Sequence, residues 1–323
     1  MISRVIAQML LAITTLQIIP VDAANLEWKI GIPTTPTALA APMFSLMSAP
    51  TLPQAGNRVL PPKKTDLSSY GVVTDAKSAI VIDPASGATL FAKNADDVRS
   101  IGSITKLMTA LVFLDTQPDL ATWVTIEKED YVGGGRVYLN FHDGIRLYDV
   151  LGASIVGSDN TATQALSRIS GMTGEEFIAA MNAKAKALGM TSSAFTEVTG
   201  LDSGNVSTAR DLQILLTEAK KSEILSDFMT TKRLPMTHVS GISLVVESTD
   251  ALFDSLLNAG TYRITGGKTG FIPEAGYCFI TTITHEGDDV FVAVLGASSK
   301  EDRFADAKAL AIWAFSTFTW PQL

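Results

Sequence analysis

One cysteine, Cys278, and three histidines, His142, His238 and His285, are all that this chain of 323 residues holds of those two types. A lone cysteine far from the N-terminus supplies neither an intramolecular disulfide nor an N-terminal site for lipid attachment. No His-Glu-x-x-His sequence occurs, so a zinc centre lacks its usual ligands, and nothing else in the chain calls for a metal or cofactor. Gly-x-Ser-x-Gly is missing too, and the histidines lie in no triad context, which argues against a serine–histidine hydrolase. There is no block of Lys or Arg, and the formal charge is −8. The electrostatic case for nucleic acid or an anionic membrane surface is therefore absent.

Long apolar runs are also lacking. The stretch from Val5 to Ile19 is short for a bilayer, and Gln8, Thr14, Thr15, Gln17 and Pro20 break up its surroundings. Arg4 ahead of it and the small residues of Val21-Asp22-Ala23-Ala24 behind it read as a signal peptide over residues 1–24, cleaved near Ala23 or Ala24. An exported protein follows. Residues 25–68 read as a linker or partly ordered extension, with seven prolines between Gly31 and Lys64 and no sustained apolar period.

The remainder, residues 69–323, has the makings of a folded unit, since 46% of the whole chain is hydrophobic and only 18% is charged. Ala79–Asp83, the turn Pro84-Ala85-Ser86-Gly87 and Ala88–Ala92 predict a β-hairpin. Helical patterns follow. Leu107, Leu111 and Leu114 share one helix face, Thr173 and Glu176 are spaced as a capping box, Gly189 is a stop signal, and Thr208 with Asp211 marks another start. Strand patterns return at Thr261–Thr265, Tyr277–Thr284 and Val290–Gly296, and a last helix fits Glu301–Phe318. Strands at both ends with helices between them predict an α+β fold: an antiparallel sheet, flanked by terminal helices, with a helical sub-domain inserted over approximately residues 103–258. The seam between the two is the natural cleft.

Three motifs carry the chemistry. In Ser103-Ile104-Thr105-Lys106 the serine and lysine are three apart, so on a helix start they share a face within hydrogen-bond reach. A neutral lysine there can take the serine proton. Free lysine titrates near 10.4, so poising it near neutrality costs roughly 4–5 kcal/mol, which desolvation and a second ammonium would supply. Taken alone, Ser-x-x-Lys is also an ordinary helix start. In Ser158-Asp159-Asn160, after an apolar helix, Ser158 can relay a proton, Asn160 can bond a peptide through its amide, and Asp159 can orient the loop. Lys268-Thr269-Gly270 fits a strand edge of little bulk, where the ammonium and hydroxyl can hold a carboxylate or carbonyl and Gly270 lets backbone approach closely. Gly267-Lys268-Thr269 also echoes the tail of a phosphate-binding loop, but Tyr262 stands where that loop needs glycine.

The order of these motifs, with 55 and 110 residues between their first positions, resembles the low-molecular-mass penicillin-binding proteins of the D-alanyl-D-alanine carboxypeptidase and endopeptidase family, peptidase family S11. Leu188-Gly189-Met190, Thr199-Gly200-Leu201 and Ser207–Leu212 add to the likeness, which spans roughly Lys77 to Phe315. The resemblance implies a β-lactamase/transpeptidase-like fold. It makes Ser103 the nucleophile of an acyl-enzyme, Lys106 its general base and Ser158 a relay. Asn160, Lys268, Thr269 and Gly270 become substrate-binding residues, and the oxyanion sits between backbone N–H groups of Ser103 and of the strand carrying Lys268. The implied partners are peptidoglycan stem peptides and, as covalent inhibitors, β-lactams. The implied place is the periplasm.

Three departures point within the family to a D,D-endopeptidase that cleaves cross-links. The chain stops at Leu323 after its closing helix, so no stable membrane anchor is expected. Residues Gly296–Lys300 lack the arginine that carboxypeptidases often set near the terminal carboxylate, and Phe271 replaces a frequent histidine. The alternatives are a D-alanyl-D-alanine carboxypeptidase, a class A-like β-lactamase using Glu197, and a non-catalytic wall-binding protein.

Overall fold

The computed structural model describes residues 59–321 apart from Arg136. The expected signal peptide and most of the expected linker lie outside the described residues. In chain order the elements are β1 (Lys63–Lys64), β2 (Ser78–Ile82), β3 (Thr89–Lys93), β4 (Arg99–Ser100), α1 (Thr105–Asp115), β5 (Trp123–Thr125) and β6 (Gly144–Arg146). There follow α2 (Leu147–Ile155), α3 (Asn160–Ile169), α4 (Gly174–Leu188), β7 (Val206–Ser207), α5 (Ala209–Lys220), α6 (Glu223–Thr230), β8 (Arg233–Thr237) and β9 (Ser243–Glu247). The chain ends with β10 (Tyr262–Ile272), β11 (Gly276–His285), β12 (Asp288–Ala297), α7 (Lys300–Thr317) and β13 (Phe318–Thr319).

The main sheet has the order β10-β11-β12-β2-β3, antiparallel throughout. Both of its faces are covered, and the alternation of strand side chains sorts them. Ile80, Phe291, Ala293 and Leu295 pack toward the inserted helices, whereas Ala79, Val81, Val290, Val292 and Val294 pack toward α7. This is why β2 and the middle of β12 read as continuous apolar runs rather than as alternating ones. Helix α1 lies inside the helical part, buried over nine consecutive residues from Thr105 to Phe113. The α+β arrangement is the one expected.

Local signals account for the helix ends. Thr173 and Glu176 form the anticipated capping box, and Gly189 closes α4 at φ +85°, a conformation that suits glycine. Thr208 accepts from the Asp211 amide at the start of α5, and Ser299 does the same for Asp302 at the start of α7.

Three details differ from expectation. The folded part begins before Ser69: β1 pairs with β13, and Thr65 donates through both its amide and its hydroxyl to the Thr317 carbonyl. Strand β10 does not stop at Thr265. An irregularity between Ile264 and Gly266 leaves Thr265 without a partner in the register, and pairing with β11 then continues through Gly266 and Gly267 to Ile272. The hairpin β8–β9 had no counterpart in the sequence reading.

Candidate active site

Ser103 stands in a 3-10 turn, Gly102–Ile104, that leads straight into α1. One turn on, Lys106 is wholly buried, and its Nζ lies 2.9 Å from Ser103 Oγ, 2.6 Å from Asn160 Oδ1 and 2.5 Å from the Thr199 carbonyl. Burial draws the lysine down to a pKa of about 7, against the opposing pull of the Glu197 and Asp159 carboxylates. A neutral amine in this cage keeps two donors for Asn160 and Thr199 and turns its lone pair toward the Ser103 hydroxyl.

Ser158 follows the end of α2 and has φ +59°, a sparsely populated region for a residue with a side chain. Its neighbour Asp159 holds that geometry. The carboxylate caps α3 by accepting from the Ala162 amide at 3.0 Å, and its other oxygen accepts from the Tyr138 amide at 2.8 Å. Asn160 is fully engaged within the protein: its amide donates to the carbonyls of Gly133 and Gly134 at 3.1 and 2.7 Å, while its oxygen meets Lys106. It thus braces Lys106 and ties down the glycine loop at the cleft wall.

Lys268 and Thr269 lie on β10, an edge strand. Lys268 is buried and donates to Ser158 Oγ at 2.8 Å. Burial holds its pKa well below that of a free lysine, with repulsion from Lys106 and Arg303 adding to the effect. Thr269 Oγ1 shares a hydrogen bond with Thr249 Oγ1 at 2.6 Å. A Cβ on Gly270 would stand 2.1 Å from the Ile101 carbonyl oxygen, so only glycine lets β10 lie against the turn that carries Ser103.

The three motifs therefore meet at one cleft of about 470 Å³, with Ser103, Ser158, Asn160 and Thr269 in its lining. None of the three histidines lines it. Cys278 is buried, its thiol pushed up to about 11 by desolvation. Glu197 does not line the cleft either, because its carboxylate is taken up by Thr199, Gly200 and Asn205.

Sequence reasoning missed Thr249, Asp250 and Arg303, all of which line the cleft. Arg303 corrects one inference directly. Gly296–Lys300 does lack arginine, yet one turn into α7 the buried Arg303 comes to the cleft and donates from Nη1 to the carbonyls of Gly270 and Cys278 at 3.1 and 3.3 Å. A start signal at Ser299 followed by helical spacing was the clue that would have carried the search past residue 300.

Known proteins share this architecture. Residues 65–299 match peptidase S11, D-alanyl-D-alanine carboxypeptidase. The chain is 36% identical over 257 residues to a D-alanyl-D-alanine endopeptidase of Pseudomonas aeruginosa, a match covering 78% of this chain and 81% of the relative. Among solved structures, the Streptomyces K15 DD-transpeptidase superposes with a TM-score of 0.71 at 29% identity, over 77% of this chain and all of that one. Penicillin-binding protein D2 of Listeria monocytogenes, in its cefotaxime-bound form, superposes with a TM-score of 0.64 at 30% identity, over 76% of this chain.

Proposed function

The chain belongs to the D-alanyl-D-alanine carboxypeptidase family, peptidase S11, and on that premise we propose that Ser103 opens D-alanyl peptide bonds in peptidoglycan cross-links through an acyl-enzyme. The observation that carries the chemistry is the buried Lys106 amine, 2.9 Å from Ser103 Oγ and poised near a pKa of about 7. Lys106 accepts the Ser103 proton as Oγ adds to the D-alanyl carbonyl. The oxyanion is held by the Ser103 amide and an amide of β10, where one donor is worth about 2.7–4 kcal/mol. The proton then passes to the departing amine by way of Ser158, whose hydroxyl is supported by Lys268. Water hydrolyses the resulting ester with Lys106 again as base. Lys268, Thr269 and Gly270 align the substrate strand against β10, while Asn160 braces Lys106 and the glycine loop beside it. A β-lactam acylates the same hydroxyl and leaves it blocked.

The preference for cross-links rests on the similarity to the Pseudomonas aeruginosa endopeptidase across most of both chains. A second reading, trimming of terminal D-alanine, is favoured by Arg303, a guanidinium beside Gly270 suited to a carboxylate. Export to the periplasm after removal of residues 1–24 gives the enzyme access to either substrate.

Cross-linked muropeptide dimers and monomeric pentapeptides, incubated with the parent chain and with Ser103→Ala and resolved by mass spectrometry, separate the two. Dimers split only by the parent establish the endopeptidase. Pentapeptides that lose one alanine while dimers survive make it a carboxypeptidase.

A further inference from the structure

The Thr199 carbonyl lies 2.5 Å from Lys106 Nζ, yet it belongs to a stretch, residues 195–205, with neither helix nor strand. Something must hold an irregular loop carbonyl against a buried amine. The Glu197 carboxylate does so. One oxygen accepts from the Thr199 amide and hydroxyl, each at 2.6 Å, and the other accepts from the Gly200 amide and from Asn205 Nδ2, the latter at 2.7 Å. Asn205 is wholly buried and extends the clamp: its Nδ2 reaches Thr105 Oγ1 at 3.2 Å, and its oxygen accepts from the amides of Thr196 and Glu197 at 2.7 and 3.2 Å. The next residue in the clamp, Gly200, has φ +88°, and a Cβ there would stand 2.1 Å from the Gly102 carbonyl oxygen. The loop is thus seated on the residue before Ser103 at one end and on Lys106 at the other.

We propose that Glu197 is a positioning residue for the acylation step, holding Thr199 and Gly200 against the Ser103–Lys106 pair. This rests on the reading of Lys106 as base. The charged groups around Lys106 come from three elements: Asp159 at the start of α3, Lys268 on β10 and Glu197 on the loop. Asp159 is committed to the cap of α3 and to the Tyr138 amide. Glu197 is different, because its carboxylate binds the very loop whose carbonyl touches the lysine. It acts through Lys106 and not on the substrate, since both its carboxylate oxygens are taken up by Thr199, Gly200 and Asn205.

The test is the rate at which a fluorescent penicillin acylates the full chain between pH 5 and 9, for the parent, Glu197→Gln and Glu197→Asp. Intact mass fixes the adduct, and thermal unfolding checks the fold. Glu197→Gln removes a negative charge that favours the ammonium, so the acid limb of the profile is expected to move to lower pH by about half a unit or more. With N–H groups no longer matched to the carboxylate, the plateau falls at least about tenfold. Glu197→Asp keeps the charge and loses reach, so its plateau falls by a similar factor while its limb stays at the parental position. A parental limb in Glu197→Gln, or an unchanged plateau in either variant, overturns the proposal. If Glu197→Gln has no cooperative transition, Glu197→Asp decides alone by the same criteria. Failure of the underlying reading overturns the proposal by a separate sign: no Ser103 adduct in the parent, or parental rates in Lys106→Ala.

Discussion

Lys268 Nζ lies 2.8 Å from Ser158 Oγ, a contact between residues 110 apart in the sequence that joins the edge of the sheet to the inserted helices. It repeats the pairing of Ser103 with Lys106, at 2.9 Å. The cleft therefore holds two serine hydroxyls, each supported by a buried lysine, and the two lysines repel each other. Burial of both lysines, joined at Lys268 by repulsion from Lys106, keeps protons loosely held where the reaction needs to move them.

The two serines carry different expectations. Ser103→Ala abolishes covalent labelling by penicillin, because it removes the atom that is acylated. Ser158→Ala leaves that atom and its lysine in place and interrupts only the relay, so labelling is slowed by roughly 10²–10⁴-fold without being lost. Intact-mass spectrometry over a time course checks both. An adduct on Ser103→Ala, or parental kinetics in Ser158→Ala, contradicts the roles assigned.

Acylation by penicillin is expected to fall as pH drops through about 7. The sign follows from the role: Lys106 must be neutral to accept the Ser103 proton, and below its pKa the fraction of neutral amine falls about tenfold for each pH unit. Stopped-flow acylation rates between pH 5 and 9 measure the limb. A rate independent of pH across that range would remove Lys106 as the base.

Much of this site was legible because its chemistry depends on residue types at short spacings. Ser103 with Lys106, Ser158 with Asn160, and Lys268 with Thr269 are each local, and only the meeting of the three needed a fold. Thr249 and Asp250 were not legible, since nothing local marks them and each reaches the cleft through tertiary packing, and Arg303 had only the helix start at Ser299 to point toward it. The same distinction holds for the fold. Caps at Thr173 and Thr208 announced their helices. The hairpin β8–β9 was hidden by Pro235, a residue that argues against a strand except on an exposed edge or ribbon. The length of β10 was hidden by Gly266 and Gly267, which part the strand pattern of Thr261–Thr265 from the strand edge at Lys268–Gly270, although one strand passes through them.

Asp250 is held in the cleft at a thermodynamic cost that a single substitution can reveal. Its Oδ2 is buried without a hydrogen-bond partner among the described residues, and burial raises the carboxyl to about 6, only partly offset by the Leu252 amide, Arg303 and Lys268. A carboxyl whose folded pKa is raised favours the folded state below its unfolded pKa, and that advantage is lost as pH rises through the folded value. Asp250→Asn keeps an oxygen for the Leu252 amide and never ionises. The variant is expected to be more stable than the parent above pH 6, by up to about 3 kcal/mol. The gain should vanish below pH 4. Urea unfolding at pH 4 and pH 7.5 reads the difference, and an equal effect at both pH values would show that ionisation is not its cause.

Gly270→Ala tests whether the close seat of β10 on the Ser103 turn is a requirement of the site. The added Cβ would stand 2.1 Å from the Ile101 carbonyl oxygen and 3.3 Å from Ile104 Cγ1, and a backbone carbonyl cannot rotate away as a side-chain tip can. Overpacking of this kind costs typically 1–3 kcal/mol and sometimes more. The strand must also move off the turn, carrying Lys268 away from Ser158 and the β10 amide away from the oxyanion. A misplacement of about 1 Å is worth roughly 10²-fold in rate, so the acylation rate is expected to fall by at least that factor. Gly174→Ala is the matched control. Among the described residues nothing lies within 4 Å of its added Cβ, and Gly174 is the first residue of α4, where alanine is tolerated and gains up to about 1 kcal/mol over glycine. Urea unfolding and penicillin acylation, run on both variants, separate the two positions. Parental acylation in a folded Gly270→Ala would mean that β10 need not touch the Ser103 turn for the chemistry to proceed.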